Sequence, residues 1–146
     1  MRLLVFGESG SRLPVKRIRK LFSLVFEEEA DPDWQSEVNL IFTTDNRMRN
    51  LNREFRGKNQ STDVLSFNID LPEDTGNIFG EIYISVPTAT RQAKRAGHSV
   101  LREYLRLSCH GLLHLFGYDH EKQSDAAVML KRENHFLTRW GAKPSC

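Results

Sequence analysis

Apolar residues recur along this chain with two different periods, and the two periods separate strands from helices. Runs rich in β-branched and aromatic residues predict strands over residues 3–6, 38–43, 64–69 and 81–86. Apolar residues spaced three and four apart predict helices that begin at Pro14 or span residues 45–55, 87–96, 99–116 and 124–140. The turn formers in residues 71–80 predict a connection between the last two strands.

This order of elements predicts an α+β fold in one domain that spans residues 1–146. The alternation of strands and helices in the first half favours parallel pairing, and the long turn before the last strand allows an antiparallel member. We therefore expect a mixed, mostly parallel sheet of about four strands packed against helices. The helix over residues 99–116 is expected to be the buried central one, because it carries apolar residues along most of its length.

The composition excludes several classes of protein. With 146 residues, of which 39% are hydrophobic and 27% charged, the chain is long enough to bury a core. It has no signal peptide, no apolar run long enough to cross a bilayer and no internal repeat, so we expect a cytoplasmic protein without membrane partners. Cys109 and Cys146 do not form the spaced set of a disulfide framework, and we expect Cys109 to pack in the core.

Three of the five histidines fall at positions 110, 114 and 120. His110 and His114 are four residues apart on a predicted helix, so they lie on one face with a rise of about 6 Å between them. Gly117 can adopt the left-handed conformation that ends the helix and allows His120 to turn back. Three protein nitrogens leave one position of a tetrahedral zinc open, as in catalytic zinc sites. We predict one Zn²⁺ per chain, with His110, His114 and His120 as its ligands.

The spacing resembles the zinc motif of the metzincin peptidases, H-E-x-x-H-x-x-G-x-x-H, with one departure. Gly111 occupies the position of the glutamate that acts as general base in a zinc peptidase. A conventional peptidase mechanism is therefore disfavoured. The sequence leaves open whether Asp119, Glu121 or no side chain handles the proton.

Four segments of the chain resemble the YbeY family of bacterial endoribonucleases. Residues 110–120 are similar to the family signature H-G-x-L-H-L-x-G-Y-D-H, and residues 52–67 to its segment N-x-x-[YF]-R-x-K-[DN]-x-x-T-D-V-L-S-F. Residues 80–85 resemble its strand G-[DE]-I-x-I-S, and residues 129–137 resemble its tail M-x-x-x-E-x-x-[IF]-L. The resemblance covers most of the chain after residue 50.

The resemblance implies a single-strand-specific, metal-dependent endoribonuclease that acts in ribosomal RNA maturation and ribosome quality control. It makes single-stranded RNA, above all ribosomal RNA, the expected substrate, and the ribosomal small subunit or its associated proteins the expected partners. Arg56 is the arginine of the family motif, and its planar guanidinium offers two parallel donors to a phosphate that gains charge. We predict Arg56 and His114 as catalytic residues, His114 through the metal that it holds.

The charge distribution supports RNA binding more than the net charge does. The net charge of +2 predicts little, but the basic residues fall into three clusters. The clusters are Arg12, Lys16, Arg17, Arg19 and Lys20; Arg47, Arg49, Arg53, Arg56 and Lys58; and Arg91, Lys94, Arg95, Arg102 and Arg106. If they border one cleft, phosphate binding follows. Phe55 and Tyr118 are candidates for stacking on bases, although such aromatics more often belong to the core or a wall.

Two carboxylates near the predicted site have other interpretations. Glu103 lies seven residues before His110, where it either hydrogen-bonds the distal nitrogen of a ligand or acts as a charge near the start of the helix. Asp63 follows Thr62, and we expect it to organise the start of a strand rather than to act as a base.

Two other functions remain open at this point. The first is a metal-dependent hydrolase of peptides or small molecules, against which Gly111 argues in its peptidase form. The second is a non-catalytic RNA-binding factor in ribosome assembly, stabilised by a structural metal. A substrate screen tests the first, and RNA cleavage by metal-loaded protein tests the second.

Overall fold

The structure is a computed structural model, and it describes residues 1–7, 12–31, 35–69, 79–119 and 122–141. Its elements in chain order are β1 (Arg2–Gly7), α1 (Val15–Glu29), β2 (Glu37–Thr43), α2 (Asp45–Arg56), β3 (Val64–Asn68), β4 (Phe79–Ser85), α3 (Val86–Ala96), α4 (Val100–Leu115) and α5 (Gln123–Trp140). Every predicted strand and helix is present with ends close to those expected. Residues 71–78 of the predicted turn, His120, Glu121 and Cys146 lie outside the described residues.

The strands form one sheet in the order β1-β2-β4-β3. β2 pairs in parallel with both β1 and β4, whereas β3 pairs with β4 in antiparallel fashion and forms one edge of the sheet. The predicted α+β class with a mixed, mostly parallel sheet is confirmed. Leu3 lies opposite Val38, and Leu40 lies opposite Ile82, so apolar residues of neighbouring strands fall on the same face.

The two faces of the sheet carry cores of different size. On the larger side α4 packs against β3 and β4, and α1 and α5 pack against α4 around the buried side chains of Phe22, Ile82 and Leu112. On the other side α2 contributes Met48 and Leu51 to a smaller cluster. The helix that carries the histidine motif is therefore the buried central helix, as the sequence predicts. None of the helices in the described ranges is long and apolar enough to span a lipid bilayer.

Side chains of β3 hold the last two turns of α4. The Ser66 hydroxyl donates to the carbonyl of Gly111 at 2.8 Å, and the Asn68 amide donates to the carbonyl of Leu115 at 3.2 Å. Gly117 follows the helix with a φ of 97°, the left-handed conformation expected of it. The end of the helix is therefore attached to the edge strand as well as packed on the sheet.

The end of the last strand differs from the prediction for a physical reason. Val86 is predicted as the last residue of a strand, but it begins α3. The Ser85 hydroxyl accepts a hydrogen bond from the backbone N–H of Thr88 at 3.2 Å, which caps the helix at that point. The N-cap therefore outweighs the β preference of valine.

Candidate active site

α4 brings His110 and His114 together at its C-terminal end. Their Nε2 atoms are 3.2 Å apart, and their rings meet edge to face with centroids 4.7 Å apart. Two nitrogens bound to one tetrahedral zinc at the usual bond length are about 3.3 Å apart. The separation of the two ring nitrogens therefore suits a shared metal ion.

A carboxylate from another helix orients the first of these rings. The His110 Nδ1–H donates to the Oε1 atom of Glu133 on α5, whose side chain is only 6% exposed. Because Nδ1 carries the proton, the lone pair of His110 is on Nε2, the atom that a metal would bind. Histidine ligands commonly have such a carboxylate behind them, which fixes the tautomer and raises the basicity of the ligand.

Glu103 does not have this role, so its interpretation as a partner of a ligand histidine is wrong. It is 1% exposed and accepts hydrogen bonds from His98 at 2.6 Å and from Arg106. Seven residues of helix separate it from His110 by about 10 Å along the axis, too far for a direct contact. Its interpretation as a charge near the start of the helix is confirmed, because it lies in the first turn of α4, but it is buried in an ion-pair network with His98 and Arg106 instead of lying at the surface.

Close packing explains why glycine stands at position 111. A Cβ atom there would lie 2.6 Å from the Cγ2 of Ile82, 3.0 Å from the Oγ of Ser66 and 3.2 Å from the Cγ2 of Val64. Residue 111 thus faces the sheet at a point where α4 touches β3 and β4. A glutamate does not fit at this position, which agrees with the departure from the metzincin motif.

The two histidines open onto a cleft of about 220 Å³ between α4, β3 and the segment after α2. Polar and basic side chains dominate its lining. The described residues that line it are Asn52, Arg56, Lys58, Gln60, Thr62, Asp63, Val64, Leu65, Ser66, His110 and His114. Arg56 is therefore in the same cleft as the histidine pair, although far from it in sequence.

The backbone after α2 is shaped to bring its side chains into this cleft. Gly57 ends the helix in the left-handed conformation, with a φ of 69°. Asn52 is 3% exposed, and its amide donates to the carbonyl of Gln60 at 2.9 Å. This hydrogen bond holds the returning segment, with Lys58 in it, against the end of α2.

Asp63 is occupied by structural hydrogen bonds. Its Oδ1 atom accepts from the backbone N–H of Val64 at 2.8 Å, and its Oδ2 atom accepts from the Gln92 amide at 3.3 Å. Both contacts stabilise the start of β3, as expected from its place beside Thr62. The interpretation of Asp63 as an organiser of the strand is confirmed.

The three basic clusters do not border one cleft. Among the described lining residues, only Arg56 and Lys58 come from these clusters, and both belong to the second. In the third cluster Arg91 pairs with Asp45 at 2.8 Å and Arg106 pairs with Glu103. In the first, Lys20 lies over the ring of Trp140 at 5.2 Å. Charge density in the sequence thus overestimates the basic surface that faces the histidines.

The remaining candidates have different outcomes. Cys109 is fully buried, and burial raises the pKa of its thiol, so the expectation that it packs in the core is confirmed. Tyr118 is half-buried, packs against the larger core and donates to Glu29 at 2.8 Å, so it is a core residue, the first of the two alternatives to stacking. The described residues hold no group of three metal-ligating side chains, and the predicted third ligand, His120, is not among them.

Sequence reasoning did not single out Gln60 or Glu133. Gln60 lines the cleft, and Glu133 contacts His110. A signal for Glu133 was present, because it is the glutamate of the tail motif M-x-x-x-E-x-x-[IF]-L. No spacing rule connects it to His110, which lies 23 residues away on another helix.

Comparison with known proteins finds relatives along nearly the whole chain. The family profile described as Endoribonuclease YbeY matches residues 7–141. Endoribonuclease YbeY of Desulforamulus reducens is 43% identical over 134 residues, which are 87% of this chain and 86% of the relative. Endoribonuclease YbeY of Geobacillus thermodenitrificans is 41% identical over 147 residues, with 93% and 94% covered. A Thermotoga maritima protein of known solution structure is 27% identical, with a TM-score of 0.60 over 94% of this chain and 91% of that one.

Proposed function

This chain belongs to the Endoribonuclease YbeY family, and on that basis we propose that it is a zinc-dependent, single-strand-specific endoribonuclease that acts on ribosomal RNA. One observation carries the proposal beyond the family assignment. The imidazoles of His110 and His114 converge to 3.2 Å in a cleft that also contains Arg56. A paired-histidine metal site beside a guanidinium suits a phosphodiester better than a peptide or an uncharged small molecule.

We assign the zinc to His110, His114 and the predicted third ligand, His120. The donor chemistry supports this assignment, because Glu133 holds the proton of His110 on Nδ1 and leaves Nε2 as an acceptor. A zinc ion bound there would act as a Lewis acid on the scissile phosphodiester. The role of these side chains would be to hold the ion.

Arg56 and Lys58 have the complementary role of binding the substrate. Arg56 offers a planar fork of N–H donors that matches two phosphate oxygens, and Lys58 adds a second positive charge in the same cleft. No ion pair between described residues involves either side chain. Both cations are therefore available to stabilise the charge that grows on the phosphate during cleavage.

The shape of the site favours an extended single strand of RNA. Its volume, about 220 Å³, admits a phosphate with part of its flanking sugars, and it lies along the edge strand β3. A single strand can be laid along such a groove with its bases turned outward. Asp119 and Glu121 remain the candidate proton carriers, alongside a mechanism that uses neither.

The test combines metal analysis with RNA cleavage by matched variants. We expect purified protein to contain zinc, and His114→Ala to lose it together with activity. Arg56→Ala should keep its zinc and cleave a single-stranded RNA at least about 100-fold more slowly, the typical loss for a donor to transition-state charge. Arg95→Ala, an exposed arginine on α3, is the control and should cleave like the wild type.

Two results would overturn the proposal. Metal-loaded wild type that cuts no RNA above background points to the non-catalytic assembly factor, and an Arg56→Ala variant as active as wild type removes the role of Arg56. The ends of the product identify the nucleophile, since a 2′,3′-cyclic phosphate requires attack by the RNA hydroxyl. The ribosomal substrate, the ribosomal partners and the cytoplasmic location remain predictions. Mapping of ribosomal RNA ends in cells that carry only Arg56→Ala tests the first of these.

A further inference from the structure

One large apolar side chain beside the cleft is exposed without an evident structural reason. Phe55, in the last turn of α2, is 59% exposed, more than any other aromatic side chain that the structure describes. It immediately precedes Arg56, which lines the cleft. An exposed phenyl ring next to a polar cleft offers a flat apolar surface that a ligand in the cleft can cover.

The ring packs against the protein on one side. Its centroid is 5.2 Å from that of Phe67 on β3, and Phe67 in turn packs edge to face with Tyr83 at 5.9 Å. Phe67 is half-buried, and Tyr83 belongs to the smaller core. A row of three aromatic rings thus leads from this core to the surface and ends at Phe55.

The position of the ring is continuous with the cleft. Phe67 follows Ser66 on β3, and Ser66 is a lining residue whose hydroxyl bonds to α4. Because side chains alternate across a strand, Phe67 and Phe55 lie on the face of β3 opposite the histidines. An RNA chain that leaves the cleft around this edge passes from the side of the histidines to the side that carries Phe55.

The charges around the ring favour a polyanion. Arg56 and Lys58 follow it in sequence, and both line the adjacent cleft. No ion pair between described residues includes either of these two cations. An exposed aromatic ring next to a cationic cleft is a combination with which proteins bind single-stranded nucleic acids.

We propose that Phe55 is a stacking site for an RNA base next to the scissile phosphate. This inference rests on the proposed function, and it adds a base-binding position outside the metal cleft. The phosphate binds to Arg56 and Lys58, while the adjacent base lies on the exposed face of Phe55. Because every base has a π-face, the site selects unpaired nucleotides rather than a particular sequence.

The test measures binding of a fluorescently labelled 2′-O-methyl oligoadenylate by anisotropy, separately from cleavage. Phe55→Ala and Phe55→Leu should bind it about tenfold more weakly than wild type, the loss typical of one stacked base. Phe55→Tyr should keep the wild-type affinity, because it preserves the ring. Phe6→Leu is the matched control, since Phe6 is 48% exposed on the opposite edge strand, β1, and its loss should change nothing.

A second oligomer of the same length with abasic sugars distinguishes stacking from indirect effects. Wild type and Phe55→Ala should bind this abasic strand equally. A tenfold loss on both strands would overturn the proposal, because the ring would then act through the position of Arg56. Phe55→Leu with wild-type affinity would overturn it as well. If wild type neither binds nor cuts RNA, the proposed function itself fails, whereas normal cleavage with unaffected Phe55 variants rejects the stacking site alone.

Discussion

Glu133→Gln is expected to weaken zinc binding while leaving the fold intact. The glutamine has nearly the same shape, so it replaces a charge-assisted hydrogen bond to His110 by a neutral one. Charge-assisted bonds exceed neutral ones by about 1 to 2 kcal/mol, and glutamine also holds the tautomer of His110 less firmly. The expected loss of zinc affinity is about 10- to 100-fold, the usual range for removal of a carboxylate behind a histidine ligand.

The assay is a competitive titration of zinc against a chromophoric chelator at neutral pH, with thermal denaturation measured in parallel. Glu103→Gln is the matched control, because Glu103 is another buried carboxylate bonded to a histidine, but that histidine is His98. This variant should lose stability and keep its zinc affinity within about twofold, since no ligand is touched. Wild-type affinity in Glu133→Gln, or an equal loss in both variants, would refute the assignment of Glu133.

Two further predictions concern the packing and the charges that support the site. Gly111→Ala should lower the free energy of unfolding by about 1 to 3 kcal/mol in urea titrations, because the added methyl overlaps Ile82; unchanged stability would contradict the packing argument. Although burial opposes ionisation of Asp45, hydrogen bonds from Ser85, Thr88 and Arg91 lower its pKa from 3.8 to about 2. The ionised Asp45 therefore contributes about 1 to 2 kcal/mol to the free energy of unfolding, after allowance for its partial exposure. This contribution is present above pH 4 and should disappear between about pH 4 and 2. In urea titrations at a series of pH values, Asp45→Asn should abolish this part of the pH dependence. If the free energy of unfolding of wild type and variant changes with pH in the same way, Asp45 makes no such contribution.

Features that depend on neighbours in sequence were predictable from the sequence. The period of apolar residues is imposed by helix and strand geometry, so α1 to α5 and all the strands were found with small errors at their ends. The convergence of His110 and His114 follows from one turn of helix, and the left-handed Gly117 follows from the absence of a Cβ. These properties depend only on residues within a few positions of each other, and the family motif over residues 110–120 that contains them is a short continuous segment as well.

Features that depend on how distant segments pack were decided only by the folded molecule. Glu133 is behind His110 because α5 packs on α4, whereas Glu103, closer in sequence, faces Arg106. The sequence shows that position 111 is glycine, but only the approach of α4 to the sheet shows that nothing larger fits. The charge pattern of the sequence offered no reason to prefer one of the three basic clusters over another for binding RNA. Of their members, only Arg56 and Lys58 are among the described residues that line the cleft. Which side chains meet between two helices depends on how the whole helices pack against each other. The period of apolar residues along the chain does not specify that packing, so these contacts could not be predicted from it.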